Sequence, residues 1–154
     1  LLQNVNDVTI ATWVWVRTDQ LWVRIFDFGG STTKYMFLTP HAQGGGVRFA
    51  ITTGGNGPGV EQQLNSPTPL PVGAWTHVAV VLQGTSNGTL YVNGTAVASS
   101  TSMPLRPSGL GATPNDWIGH SEFTDPNFDG QIDDFRIYAR ALTAADIQTI
   151  YTER

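Results

Sequence analysis

Phe128-Asp129-Gly130-Gln131-Ile132-Asp133-Asp134-Phe135-Arg136-Ile137-Tyr138-Ala139-Arg140-Ala141-Leu142-Thr143 reads as a tight turn, a β-strand and the start of a helix. Asp129-Gly130 has the residue types of a turn. Period-two alternation places Ile132, Asp134, Arg136 and Tyr138 on one face of the strand and Asp133, Phe135 and Ile137 on the other. Thr143-Ala144-Ala145-Asp146 has the spacing of a helix capping box, with Asp standing in for Glu. Ile147, Ile150 and Tyr151 then form the apolar face of a short helix.

Strand signals separated by turn residues fill the rest of the chain. Residues 8–17 alternate, but both of their faces are apolar, which predicts a central strand covered on both sides. Further strands are predicted over 21–28, stopped by Gly29-Gly30, over 35–39, ended by Pro40, and over 47–52. Residues 54–73 are rich in Gly, Pro, Asn and Ser and read as a long loop with one short strand near Glu61 to Leu64. Residues 75–83 and 89–92 form a hairpin, and Asn93-Gly94 is a strong two-residue turn before 95–99. Residues 116–120 and 130–138 complete the set. Roughly ten short antiparallel strands and one terminal helix predict an all-β, two-sheet jelly-roll sandwich.

Composition narrows the function. The 154 residues read as one domain, large enough for a core without covalent staples. There is no cysteine, so disulfides and thiolate metal sites are excluded. A formal net charge of −4, with 8 Lys and Arg, argues against nucleic-acid binding, which needs a basic surface. Only 13% of residues are charged, and Gly, Thr, Ser and Asn take the polar role, a profile that suits an extracellular β-sandwich. No signal peptide, membrane span or lipidation motif is visible, and the chain reads as a piece of a longer protein.

The terminal run, together with Trp75-Thr76-His77-Val78-Ala79-Val80-Val81 and Leu90-Tyr91-Val92-Asn93-Gly94, resembles the laminin-G-like, concanavalin A-like jelly-roll family. The resemblance covers nearly the whole chain. It implies a single laminin-G-like domain over 1–154 that lacks the family's first strand, which would leave two sheet edges open to association. It also implies a carbohydrate-binding module attached to the catalytic domain of a secreted, bacterial, glycan-active enzyme. A structural or protein-interaction domain without a sugar site is the alternative. The partners expected are a polysaccharide or oligosaccharide and the parent's catalytic domain, with neither nucleic acid nor membrane among them.

Catalysis has no support. Glycosidases need two carboxylates flanking one bond, about 5–5.5 Å apart in retaining enzymes. No E-x-D-x-E or E-x-D-x-x-E run exists, and Glu occurs only at 61, 122 and 153. Adjacent Asp133 and Asp134 should point to opposite faces. His41, His77 and His120 sit in unrelated contexts, with no nucleophile elbow and no zinc motif.

Calcium is the one cofactor the resemblance implies, as a structural ion with Asp133 its best ligand on the last strand. Asp125, Asn127 and Asp129 mimic the start of an EF-hand loop, but its twelfth position is Arg136, so that reading fails. These residues read as turn formers instead.

Sugar binding uses aromatic faces together with planar polar groups. The candidates are Trp15, Trp22, Tyr35, Trp117 and Phe123, with His120 beside Phe123 in a turn. Trp13 and Trp75 match packing positions of the family. The stretch from His120 to Phe128 resembles modules fused to arabinose- and xylose-polymer enzymes, although an Arg or Asn often stands there in place of His120. Arg24 and Arg48 lie on neighbouring predicted strands, where they could bind an acidic sugar, pair with Asp27 or stay solvated.

Overall fold

The computed structural model describes residues 2–57 and 59–153. Ten strands and two helices follow in chain order: β1 (Val8–Val16), β2 (Phe26–Ser31), β3 (Lys34–Thr39), β4 (Arg48–Thr52), β5 (Gln62–Asn65), β6 (Trp75–Gln83), β7 (Asn87–Val92), β8 (Thr95–Ser100), α1 (Pro107–Leu110), β9 (Asn115–Ile118), β10 (Gly130–Tyr138) and α2 (Ala144–Thr152). They form two antiparallel five-stranded sheets, ordered β10-β1-β6-β7-β8 and β5-β4-β3-β2-β9. This is the expected jelly-roll sandwich, with α2 as its C-terminal helix.

Alternation builds the core. Ile10 and Val14 of β1 and Val78 and Val80 of β6 face Phe26, Met36, Leu38, Phe49 and Ile51 of the second sheet. The outer face of the first sheet is also apolar. Ala11, Ala79, Val81 and Tyr91 are roofed by Leu142 and by Ile147 of α2. That roof accounts for the two apolar faces of β1. The capping box is present, with Thr143 Oγ1 accepting from the Asp146 amide at 3.1 Å and the Asp146 carboxylate accepting from the Thr143 amide at 2.9 Å. Asn93 and Gly94 take φ 48° and 75°, the left-handed pair that a two-residue hairpin needs.

Four local expectations are corrected. The strand predicted over 21–28 begins only at Phe26, because Trp22 turns left-handed at φ 67°, and it runs through Gly29-Gly30 to Ser31. The strand predicted over 116–120 stops at Ile118, where Gly119 turns at φ 75°. A one-turn helix, α1, starts at Pro107, where the ring presets φ. Most consequentially, Asp134 takes φ 52° and forms a β-bulge, so the register steps from Ala11↔Arg136 to Trp13↔Asp133. The extra residue resets the alternation. Ile132, Phe135 and Ile137 all pack on the core, while Tyr138 joins the α2 side. Asp134 and Arg136, now outside, form a two-point ion pair at 2.7 Å.

Candidate functional site

On the outer face of the second sheet, side chains form the floor of a cavity. Across the strands the register runs Gln63, Ala50, Phe37, Asp27 and Trp117. Tyr35, Phe37 and Ala50 form a buried cluster there, against which Trp22 and Phe123 pack. Trp22 comes from the segment before β2, and Phe123 and Asp125 from the loop between β9 and β10. Arg48 of β4 and Glu61 and Gln63 at β5 complete the walls of a cavity of about 500 Å³.

A buried polar clasp holds the wall in place. The Arg24 guanidinium lies 3.3 Å from Asp27 and 2.9 Å from Asp125. It also donates to the Trp22 carbonyl and stacks over the Phe37 ring at 4.0 Å. Asp27 accepts the Glu122 amide at 3.1 Å and the Ser121 hydroxyl at 3.4 Å, which ties β2 to the loop bearing Phe123. Burial, opposed by these donors and by Arg24, pushes the Asp27 carboxyl up to about 6. Its Oδ1 is buried and accepts no hydrogen bond among the described residues.

Trp22 pays for its place with backbone strain, since a bulky residue rarely takes φ 67°. Its amide donates to His41 O at 3.0 Å, and its ring has Arg24 at 5.9 Å and Arg48 at 5.2 Å. Tyr35 is fully buried and donates its hydroxyl to Glu61 Oε1 at 2.5 Å, while Gln63 Nε2 donates to Glu61 Oε2 at 2.7 Å. Burial and the carboxylate beside it hold the Tyr35 hydroxyl protonated, well above its ordinary range. Arg48 Nε donates to Asn65 Oδ1 at 2.6 Å and Nη2 to Gln43 O at 3.3 Å. Burial pushes its guanidinium below its ordinary value, with Glu61 opposing the shift.

Of the six expected sugar contacts, the structure brings three together: Trp22, Tyr35 and Phe123. Tyr35 is floor rather than stacking face, since it is covered and meets the Phe123 ring edge-on at 5.4 Å. Trp22 and Phe123 are half-buried and line the cavity. Trp117 and His120 pack against each other at 5.2 Å, outside the cavity walls. His120 is further held by Asn127 at 2.7 Å. Trp15 lies on the other sheet, in register with Trp75 and near Arg17. Of the packing pair, Trp13 stacks on Tyr151 at 5.6 Å.

Phe37, Glu61, Gln63 and Asp125 were not singled out as site residues from the sequence. Phe37 could have been, because it lies two residues from Tyr35 on one strand. Gln63 follows Glu61 by the same step.

Asp133 is exposed and accepts the Asp134 amide at 2.8 Å, while the Asp134 carboxylate is engaged by Arg136. Asp125, Asn127 and Asp129 do not converge, being taken by Arg24, His120 and Arg17 respectively. Among the described residues no group of three or more His, Asp or Glu side chains is arranged to hold a metal ion.

A family model described as the concanavalin A-like lectin/glucanases superfamily matches residues 1–148. No curated protein matches the chain. Among solved structures, domain 4 of AbnA, a GH43 extracellular arabinanase from Geobacillus stearothermophilus, in complex with arabinotriose, is similar at TM-score 0.80 and 24% identity, over 96% of this chain and 68% of that one. The CBM40 of Ruminococcus gnavus IT-sialidase bound to alpha2,3 sialyllactose is similar at TM-score 0.78 and 16% identity, over 97% and 85%. A heptameric SAP-like pentraxin from Limulus polyphemus is similar at 0.70 and 17%, over 96% and 70%. At these identities the likeness carries the fold. No helix among the described residues is long and apolar enough to cross a membrane.

Proposed function

The chain belongs to the concanavalin A-like lectin/glucanases superfamily, and from that premise we propose that it is a carbohydrate-binding module whose site is the cavity on the outer face of the second sheet. The observation that carries this reading is the pairing of two half-buried aromatic rings, Trp22 and Phe123, with planar polar groups from Arg48, Glu61 and Gln63 in one cavity. Sugars present the complementary chemistry: apolar C–H faces that stack on rings, and hydroxyls that take directional hydrogen bonds. The locked Trp22 adds weight, because backbone strain collects at functional sites.

The module is non-catalytic. The wall carboxylates Glu61 and Asp125 are each engaged by donors, the first by Tyr35 and Gln63, the second by Arg24. Two similar structures are domains of glycan-active enzymes, one of them named extracellular. We therefore assign this chain to a secreted protein of the same kind, in which it tethers a catalytic domain to its polymer and raises local substrate concentration. A pull-down on insoluble plant and microbial polysaccharides, paired with a soluble glycan panel, tests the reading. Retention of the folded domain by at least one glycan supports it. No retention across the panel moves the assignment to a protein-interaction domain.

A further inference from the structure

Two guanidiniums face the cavity, and they are treated differently. Arg24 has two carboxylates, Asp27 and Asp125, and is neutralised within the protein. Arg48 forms no ion pair among the described residues, and its partners are a neutral amide and a backbone carbonyl. These use Nε and one hydrogen of Nη2, and Nη1 donates to nothing described. Glu61 lines the same cavity, but its two oxygens are held by Tyr35 and Gln63.

A partly buried cation that feels the Glu61 carboxylate without an ion-pair contact to it keeps a desolvation cost that a directly bound anion recovers. The guanidinium is also braced, since it lies 5.2 Å from the Trp22 ring centre and is anchored at Nε by Asn65. Its outer edge is a planar donor fork, the shape that matches a carboxylate or sulfate. The ring of one sugar on Trp22 would bring that sugar's own acidic substituent to Arg48.

Resting on the carbohydrate reading, we infer that the cavity selects glycans bearing an acidic group, seated on Arg48 while the sugar ring stacks on Trp22. Carboxylate and sulfate share this chemistry, and the experiment separates them. Burial holds the guanidinium pKa below its usual range, which is consistent with a site that gains by taking an anion.

The test is affinity electrophoresis and calorimetry on paired probes. Galacturonan and glucuronoxylan oligosaccharides are compared with their carboxyl-esterified forms, and sulfated galactan with its desulfated form. Wild-type protein is expected to bind at least one acidic member about 10- to 100-fold tighter than its neutral counterpart. Arg48→Gln should erase that preference, and Arg48→Lys, which keeps the charge but loses the fork, should fall between. Circular dichroism checks that all variants are folded. The inference is overturned if a neutral glycan binds as tightly as its acidic form, or if Arg48→Gln keeps the preference. If a neutral glycan is retained and Trp22→Ala loses it while acidic forms gain nothing, the module reading stands and the acidic inference falls. If nothing in any pair binds, both fall.

Discussion

The Arg24 guanidinium lies 4.0 Å from the centre of the Phe37 ring, close enough for its charge to rest on the aromatic face. One contact thereby joins the buried clasp of Asp27 and Asp125 to the floor of the cavity. Arg24 thereby adds to the Asp27 hydrogen bonds and the Tyr35–Phe123 ring contact that fix the wall bearing Phe123 to the floor bearing Phe37.

Trp22→Ala and Phe123→Ala should each weaken glycan retention by about tenfold or more, because each removes a stacking face at the site. Trp117→Ala should leave retention unchanged, since Trp117 lies outside the cavity walls. Polysaccharide pull-down of the three variants checks this. Loss at Trp117 with none at Trp22 would move the site toward β9.

Tyr35→Phe deletes the hydroxyl that donates to Glu61. The expected cost is about 1–3 kcal/mol, the penalty for leaving one polar partner unsatisfied. Urea unfolding measures it. An unchanged midpoint would mean that Glu61 finds another donor.

Asp27 should impose a pH dependence on stability. Its folded pKa is raised from 3.8 to about 6, so the stability it contributes is full below about pH 4 and is lost as pH rises through 6. At pH 7 the charged form costs roughly 3 kcal/mol. Relative to wild type, Asp27→Asn should therefore gain stability as pH rises from 4 to 7. His77 acts with the opposite sign, since burial lowers its pKa to about 4 and its contribution is lost as pH falls below the usual histidine range. That term is common to both proteins and cancels in the difference. A flat difference across this range contradicts the account.

The bulge at Asp134 is open to a paired substitution. Asp134→Gly and Asp134→Val both lose the Arg136 ion pair. They differ in tolerance of φ 52°, where a β-branched residue is strained. The Val variant should be less stable by about 1–2 kcal/mol in thermal or urea unfolding. Equal stability would mean the backbone relaxes out of the left-handed region.

Chelator should leave both melting temperature and glycan retention unchanged, since among the described residues no group of three or more His, Asp or Glu side chains is arranged to hold a metal ion. A drop in either on adding EDTA, restored by calcium, would support a calcium site with Asp133 as a ligand.

Most of the fold was legible because it rests on local signals. The two apolar faces of β1 announced a covered central strand, Asn93-Gly94 a hairpin, and Thr143 with Asp146 a capping box. The bulge was not legible. Ile132-Asp133-Asp134-Phe135 alternates as well without it, and only pairing against Ala11 and Trp13 forces the extra residue. The site was half legible. Trp22, Tyr35 and Phe123 declared themselves as aromatics, but sequence does not tell a ring that stacks on sugar from one that floors a cavity. Trp15 has the same chemistry as Trp22 and lies on the opposite sheet. Arg24 pairs with Asp27, a partner within reach of the sequence reading, but its second carboxylate, Asp125, arrives from a loop a hundred residues later in the chain.

The five indoles offer the most direct test of where the glycan binds. In a titration of ¹⁵N-labelled protein with a retained oligosaccharide, the indole N–H of Trp22, assigned through Trp22→Phe, should shift most. Those of Trp15 and Trp75 should stay in place. The largest shift at Trp15 or Trp75, with Trp22 unmoved, would place the glycan on the first sheet and contradict the assignment of the cavity.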